Sequence, residues 1–147
     1  MAKSIHNPEA MKEILNRLSK LNANTPRVWG TMSPAAMLTH LSAQLRIALN
    51  DLKAEPEYPE IIQKVIKFGG LNFPWIRNMQ APKPMQISDT ASFEVEKDSF
   101  IIWLNKFSNT PTNKSFKPHP FLGKLNHHEW GQLVYKHLDH HFRQFGI

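Results

Sequence analysis

Apolar residues recur along this chain at spacings of three and four, in runs separated by stretches rich in proline, asparagine and glycine. Met11, Ile14, Leu15, Leu18 and Leu21 follow Asn7-Pro8 and predict a first helix over 8–21. An asparagine side chain accepts from the free N–H groups of a first turn, and a proline at the first helical position sacrifices no hydrogen bond. Ser33-Pro34 repeats the signal and opens a second helix reaching Leu49, with Met37, Leu38, Leu41, Leu45 and Ala48 apolar. Pro56 and Pro59 precede a short third helix, whose Ile61, Ile62, Val65, Ile66 and Phe68 are followed by the stop signal Gly69-Gly70. A fourth fits 91–107, with Phe93, Phe100, Ile101, Leu104 and Phe107 on one face. The last begins at Asn126, which with Glu129 makes an N-x-x-E capping box, and runs to Phe145 before Gly146.

The connections are long. Asn22–Met32 and Asn109–Lys124 read as loops, and Leu71–Ser88 as an ordered loop packed on the body, because its prolines alternate with Phe73, Trp75, Met79 and Met85. No strand-like alternation of useful length appears. Four or five amphipathic helices predict an all-α fold, an up-down four-helix bundle with long ordered loops, in a single domain spanning 1–147. The 41% of apolar residues suffices for a core. The absence of cysteine removes disulfides, thiolate zinc sites and cysteine nucleophiles, and leaves histidine and carboxylate as the metal ligands. The N-terminus lacks a signal-peptide core and no run approaches the ~18 apolar residues of a membrane span, so a cytoplasmic protein without a membrane partner is expected. The net charge of +6 is scattered, without a basic block or recognition helix, which argues against nucleic acid.

The chemistry stands out in the last helix. Trp130, Leu133, Val134, His137, Leu138, His141, Phe142 and Phe145 form one helical stripe, so two histidines occupy places where leucine would suit a plain core. Residues four apart lie one turn above each other, and two imidazoles so placed can reach one metal ion. His40 in the second helix sits about 60° around the wheel from Met37, at the edge of the apolar arc beside Gln44 and Ile47. Spacing leaves two readings open for these three, hydrogen-bonded core residues or ligands of one ion. His140 falls on the polar face, as surface or as a support to the site. His127 and His128 are expected to be solvated in the first turn of the last helix, and His119 and His6 lie where no spacing speaks.

The run from Lys117-Pro118-His119-Pro120-Phe121 through Glu129-Trp130-Gly131 to Tyr135-Lys136-His137-Leu138-Asp139-His140-His141 resembles the C-terminal half of DinB-like proteins, in a branch known mainly as a domain of unknown function. Trp29-Gly30, Met32-Ser33-Pro34, Met37 and His40 match the same branch, so the likeness covers most of the chain. It implies a four-helix bundle, often a homodimer, in which three histidines hold a divalent metal. By motif those are His40, His137 and His141. Some relatives in that superfamily are thiol-dependent transferases or isomerases.

Three neutral imidazoles leave a metal open positions for water or substrate, and nitrogen ligation suits zinc or nickel. With no cysteine in the chain, a reacting thiolate must come from a low-molecular-weight thiol. The first expectation is therefore a metal-dependent transferase moving such a thiol to an electrophilic small molecule, with Arg46 and Arg77 as conceivable anion partners. The alternatives are a metal-dependent hydrolase, with Glu94, Glu96, Glu129 or Asp139 as base, and a non-enzymatic metal-binding stress-response bundle. No E-x-x-H pair, G-x-S-x-G or phosphate-binding glycine loop is present.

Overall fold

Each expected N-terminal cap forms. In the computed structural model, which describes residues 2–88 and 90–147, Asn7 accepts from the N–H groups of Glu9 and Ala10 and opens α1, Pro8–Leu18. Ser33 accepts from Ala36 N–H at the start of α2, Pro34–Ala48. Ser92 accepts from Val95 N–H in the same way at the start of α4, Phe93–Ser108. Asn126 and Glu129 close the reciprocal capping box of α5, His127–Gln144, with both bonds at 2.8 Å. Met1, at the edge of the expected domain, and Asp89 lie outside the described residues.

Two boundaries differ from expectation. The first helix stops at Leu18, where the Ser19 hydroxyl turns back to the Asn16 carbonyl, yet Leu21 stays buried in the following turn. The third helix, α3 (Glu60–Asn72), runs through Gly69-Gly70 instead of ending there. Its terminal carbonyls explain why: Gly70 O accepts from the Trp75 indole and from Lys136 Nζ, which also reaches Phe73 O. A cation and an indole donor at a C-terminus satisfy the carbonyls that a glycine cap would otherwise serve.

The architecture is all-helical, with five α-helices, a short 3-10 turn at Lys83–Met85, and no strand among the described residues. The five helices of the described residues are those that the spacing marked, but they exceed the four of the expected up-down bundle. The centre is α2. Eleven of its fifteen residues are buried, because it packs along α4 and also meets α5 and the 3-10 turn. Met37, Leu38, Leu41 and Leu45 mesh there with Phe100, Leu104, Phe107, Trp130, Leu138 and Phe142. In contrast α3 is peripheral: Gln63 is its one buried residue, and Ile61, Val65 and Phe68 are each more than 60% exposed. The Leu71–Ser88 segment is half as expected. Met85 is buried and Trp75 partly so, but Phe73, Ile76 and Met79 stand exposed.

The N-terminal tail is pinned to the body. Ile5 is fully buried and its N–H donates to Gly131 O at 3.0 Å. His6 stacks between Phe107 and His127, with the two imidazole centroids 3.8 Å apart. His127 is accordingly half-buried and donates to Thr110 O, not solvated as its position in the first turn suggested; His128 is exposed.

Candidate metal centre

The regular turn of α5 puts His137 and His141 on its buried face, 3% and 8% exposed. His40 joins them from α2 at 5% exposure. It lies within a helix buried nearly all round, not at the rim of an apolar arc, because α2 is enclosed on several sides. The three rings form a propeller: every pair of centroids is 4.7 Å apart, with planes inclined at 72–76°. One nitrogen from each lies within 4.8 Å of the others, a grouping that could hold a metal ion.

Hydrogen bonds at the far side of each ring decide which nitrogens these are. His40 Nδ1 is 2.7 Å from the Met85 carbonyl, His137 Nδ1 is 2.8 Å from Gln44 Oε1, and His141 Nδ1 is 2.8 Å from Gln144 Oε1. With the Gln44 and Gln144 amides turned this way, each Nδ1 donates to an oxygen and the lone pair is left on Nε2, the tautomer that a bound ion requires. The Nε2 atoms of His40 and His137 are 2.8 Å apart. In that tautomer two lone pairs meet at this distance and repel unless a metal ion or a proton lies between them. Burial, the largest effect on each ring, holds His40 below its ordinary pKa, His137 well below it, and His141 down at about 3. All three remain unprotonated at neutral pH, as metal ligands must be. The oxygen partners orient the rings in the manner of the supporting shell found behind metal-bound histidines.

The supports are themselves fixed. Gly30 adopts φ +87°, and a Cβ there would come 2.9 Å from Gln144 Nε2, so a glycine is needed where the 28–32 segment crosses the end of α5. Val28 N–H donates to Gln144 O at 2.6 Å in the same crossing. Gln44 reaches beyond His137: its Nε2 lies 3.5 Å from Nε2 of His119. His119 is locked by a small closed loop in which it exchanges backbone bonds with Gly123, and its Nδ1 accepts from the N–H groups of Phe121 and Leu122.

The three rings open onto a cavity of about 860 Å³ walled by α3, the 71–87 segment and the His119 loop. Trp75 leans over His137 at 5.7 Å, and His140, half-buried, lines the cavity without belonging to the three-nitrogen group. None of the 29 described residues that line it is Asp, Glu, Lys or Arg.

Several residues that the chain offered as acids, bases or anion partners therefore lie elsewhere. Arg46 pairs with exposed Asp51, and Arg77 stacks on Trp29 outside the cavity lining. Glu129 is committed to its cap and to Lys67, while Asp139 pairs with Arg17 and Arg143. Glu94 is exposed and Glu96 accepts from Ala91 N–H. Helical spacing did not single out His119, Gln44 or Gln144. Their signal was available in part, since Gln44 and Gln144 stand one turn beyond His40 and His141 on buried faces.

No described helix is long and apolar enough to cross a membrane. Neither the curated proteins nor the solved structures compared with this chain include a match. A family described as "Protein of unknown function (DUF1569)" matches residues 3–146, which is nearly the whole chain and spans both α2 and α5; the protein belongs to that family.

Proposed function

We propose that this protein is a metal-dependent enzyme, in which His40, His137 and His141 hold one divalent ion, zinc or nickel, and which transfers a low-molecular-weight thiol to an electrophilic small molecule. The observation that carries the reading is the convergence of three Nε2 lone pairs whose Nδ1 partners are all committed to oxygen. The early-helix histidine and the late pair four residues apart also follow the arrangement that the DinB-like resemblance implies. When bound, such an ion lowers the pKa of a coordinated thiol or water, or polarises a substrate oxygen.

The choice of nucleophile rests on the cavity. No carboxylate is among the described residues that line it, and of the imidazoles there half-buried His140 is neither turned into the three-nitrogen group nor held by a hydrogen bond. His140, which burial holds below its ordinary pKa, is the base at hand, so a nucleophile that loses its proton readily is favoured there. A thiol, with an ordinary pKa near ~8.5, meets that condition more easily than water. The lack of a carboxylate base among the described lining residues weighs against the hydrolase alternative, in which His140 would have to take the proton from water.

Elemental analysis of protein purified without chelator or nickel affinity resin tests the centre. About one zinc or nickel per chain is expected for a one-ion site, absent from the His40→Ala, His137→Ala and His141→Ala proteins and retained by His140→Ala. The loaded protein is then assayed with thiols and electrophiles. Ester turnover that persists without thiol would move the reading to hydrolysis; loaded protein inactive in both assays would leave a metal-binding bundle.

A further inference from the structure

Two buried donors beside the centre face each other with no acceptor between them. His119 Nδ1 accepts from two backbone N–H groups, 3.1 and 3.3 Å away, so it holds a lone pair and the ring's proton sits on Nε2. Gln44 turns Oε1 to His137 Nδ1, which leaves its NH₂ toward that same Nε2–H at 3.5 Å. Two N–H groups cannot bond to each other. Gln44 is 2% exposed and His119 4%, and buried donors left without acceptors cost about 1–3 kcal/mol each. Flipping the Gln44 amide would satisfy His119 but would present NH₂ to His137 Nδ1, forcing the proton of that ring onto the Nε2 meant for a metal. A loaded centre therefore holds the amide in the orientation that keeps both donors free.

Gln44 and His119 are both among the residues that line the cavity. Nitrogens 3.5 Å apart can each reach a single oxygen at the ~2.9 Å of an ordinary hydrogen bond. The surrounding wall selects the rest of the molecule. At the chain's overall 20% of charged residues, the 29 described lining residues would include about six, and they include none, even at the exposed Phe73, Ile76 and Met79. The cations nearest this wall are engaged from behind it, Lys136 Nζ by the Gly70 and Phe73 carbonyls and Arg77 by the Trp29 ring, so a charged group carried into the cavity would lose water without a charged partner among the described lining residues.

We infer that Gln44 Nε2–H and His119 Nε2–H form a two-donor site for a carbonyl-type oxygen, and that the cavity takes an uncharged, largely apolar carbonyl compound. The inference rests on the metal reading for the orientation of Gln44, and names the electrophile class that the proposed reaction leaves open. Donors placed beside a reacting centre in a water-poor cavity are also suited to charge that develops on such an oxygen.

The test uses the zinc-loaded protein and 4-(dimethylamino)cinnamaldehyde, an uncharged apolar aldehyde whose absorption moves to the red when its carbonyl oxygen accepts hydrogen bonds. Wild type is expected to bind it with a red shift. Gln44→Glu keeps an acceptor for His137 Nδ1–H but removes the donor, and His119→Phe removes the other. Each should retain zinc, lose most of the shift and bind the aldehyde about fivefold to tenfold more weakly, the loss of one neutral hydrogen bond. A derivative bearing a sulfonate on the ring end remote from the aldehyde should bind at least about tenfold more weakly than the parent. Zinc retained with an unchanged shift in both variants would place the carbonyl elsewhere, on the ion included, and overturn the donor pair. Zinc-loaded wild type without a shift would do the same, and equal binding of the sulfonate would overturn the uncharged substrate class. Absence of metal from wild type would instead remove the centre, and with it the reason for the amide's orientation.

Discussion

Gln144 shows how much of the centre depends on residues that would not touch an ion. Its Oε1 fixes the proton on His141 Nδ1, its backbone carbonyl accepts from Val28, and its amide rests against Gly30. Gln144→Leu fills similar space but removes the acceptor, so His141 is free to change tautomer. Metal affinity should fall about 10- to 100-fold with the helical content unchanged, as measured by competition with a chromophoric chelator. Gly30→Ala acts on the same side chain from the other side. Its φ of +87° disfavours any Cβ, and the new methyl would press on the Gln144 amide. A loss of about 1 kcal/mol in urea denaturation is expected, together with a smaller drop in metal affinity. Affinity equal to wild type in both variants would show that the glutamine does not orient the ring.

At the level of elements, α5 carries two of the three clustered histidines on one face and the packing of the N-terminal tail on another. Gly131 is where the tail crosses it: Ile5 donates to its carbonyl, and a Cβ there would overlap Ser4 and His6. Helix propensity alone would make Gly131→Ala stabilising by about 0.5–1 kcal/mol. The overlap should reverse that sign and loosen the tail. Gly69 in α3 is the control, since nothing lies within 4 Å of the position of its Cβ. Gly69→Ala should raise stability by up to about 1 kcal/mol. Urea midpoints that moved the same way for both glycines would contradict the close approach at Gly131. The lower apolar commitment of α3, with Gln63 its buried residue, also explains why its end is held by Lys136 and Trp75 instead of by core packing.

For the whole molecule, the buried histidines couple stability to acidity. Burial pushes His119 and His141 down to about 3 and lowers His40 and His137 as well, whereas an unfolded histidine titrates near ~6.5. Between those values the unfolded chain binds more protons than the folded one, so stability falls as pH falls. The contribution is complete above about 6.5 and lost progressively toward about 3, at on the order of 1 kcal/mol per pH unit for each such histidine. Metal-free protein should show a urea midpoint that is level above pH 7 and declines steeply from pH 6 to pH 4. Loaded protein should fall further over the same range, because protons then also compete with the ion. A midpoint flat through this interval would mean that these rings are not buried in neutral form.

What could be read along the chain is what local geometry governs. Capping residues, proline positions and apolar spacing marked α2, α4 and α5 to within a few residues, and the turn of a single helix was enough to put His137 and His141 side by side. The end of α3 was misjudged, because two glycines read as a stop signal while the donors that let the helix continue, Trp75 and Lys136, act through tertiary contact. His40 could be suspected but not joined to the pair by spacing, since it stands 97 residues from His137 and only the packing of α2 against α5 brings their nitrogens to 2.8 Å. Packing across the fold set everything else about the centre. It placed Met85, Gln44 and Gln144 against the Nδ1 atoms of the three rings, made His119 part of a cavity wall, and left no charged side chain among the described residues of that wall. Those outcomes depend on which groups meet across the fold, and such meetings leave no periodic trace along the chain.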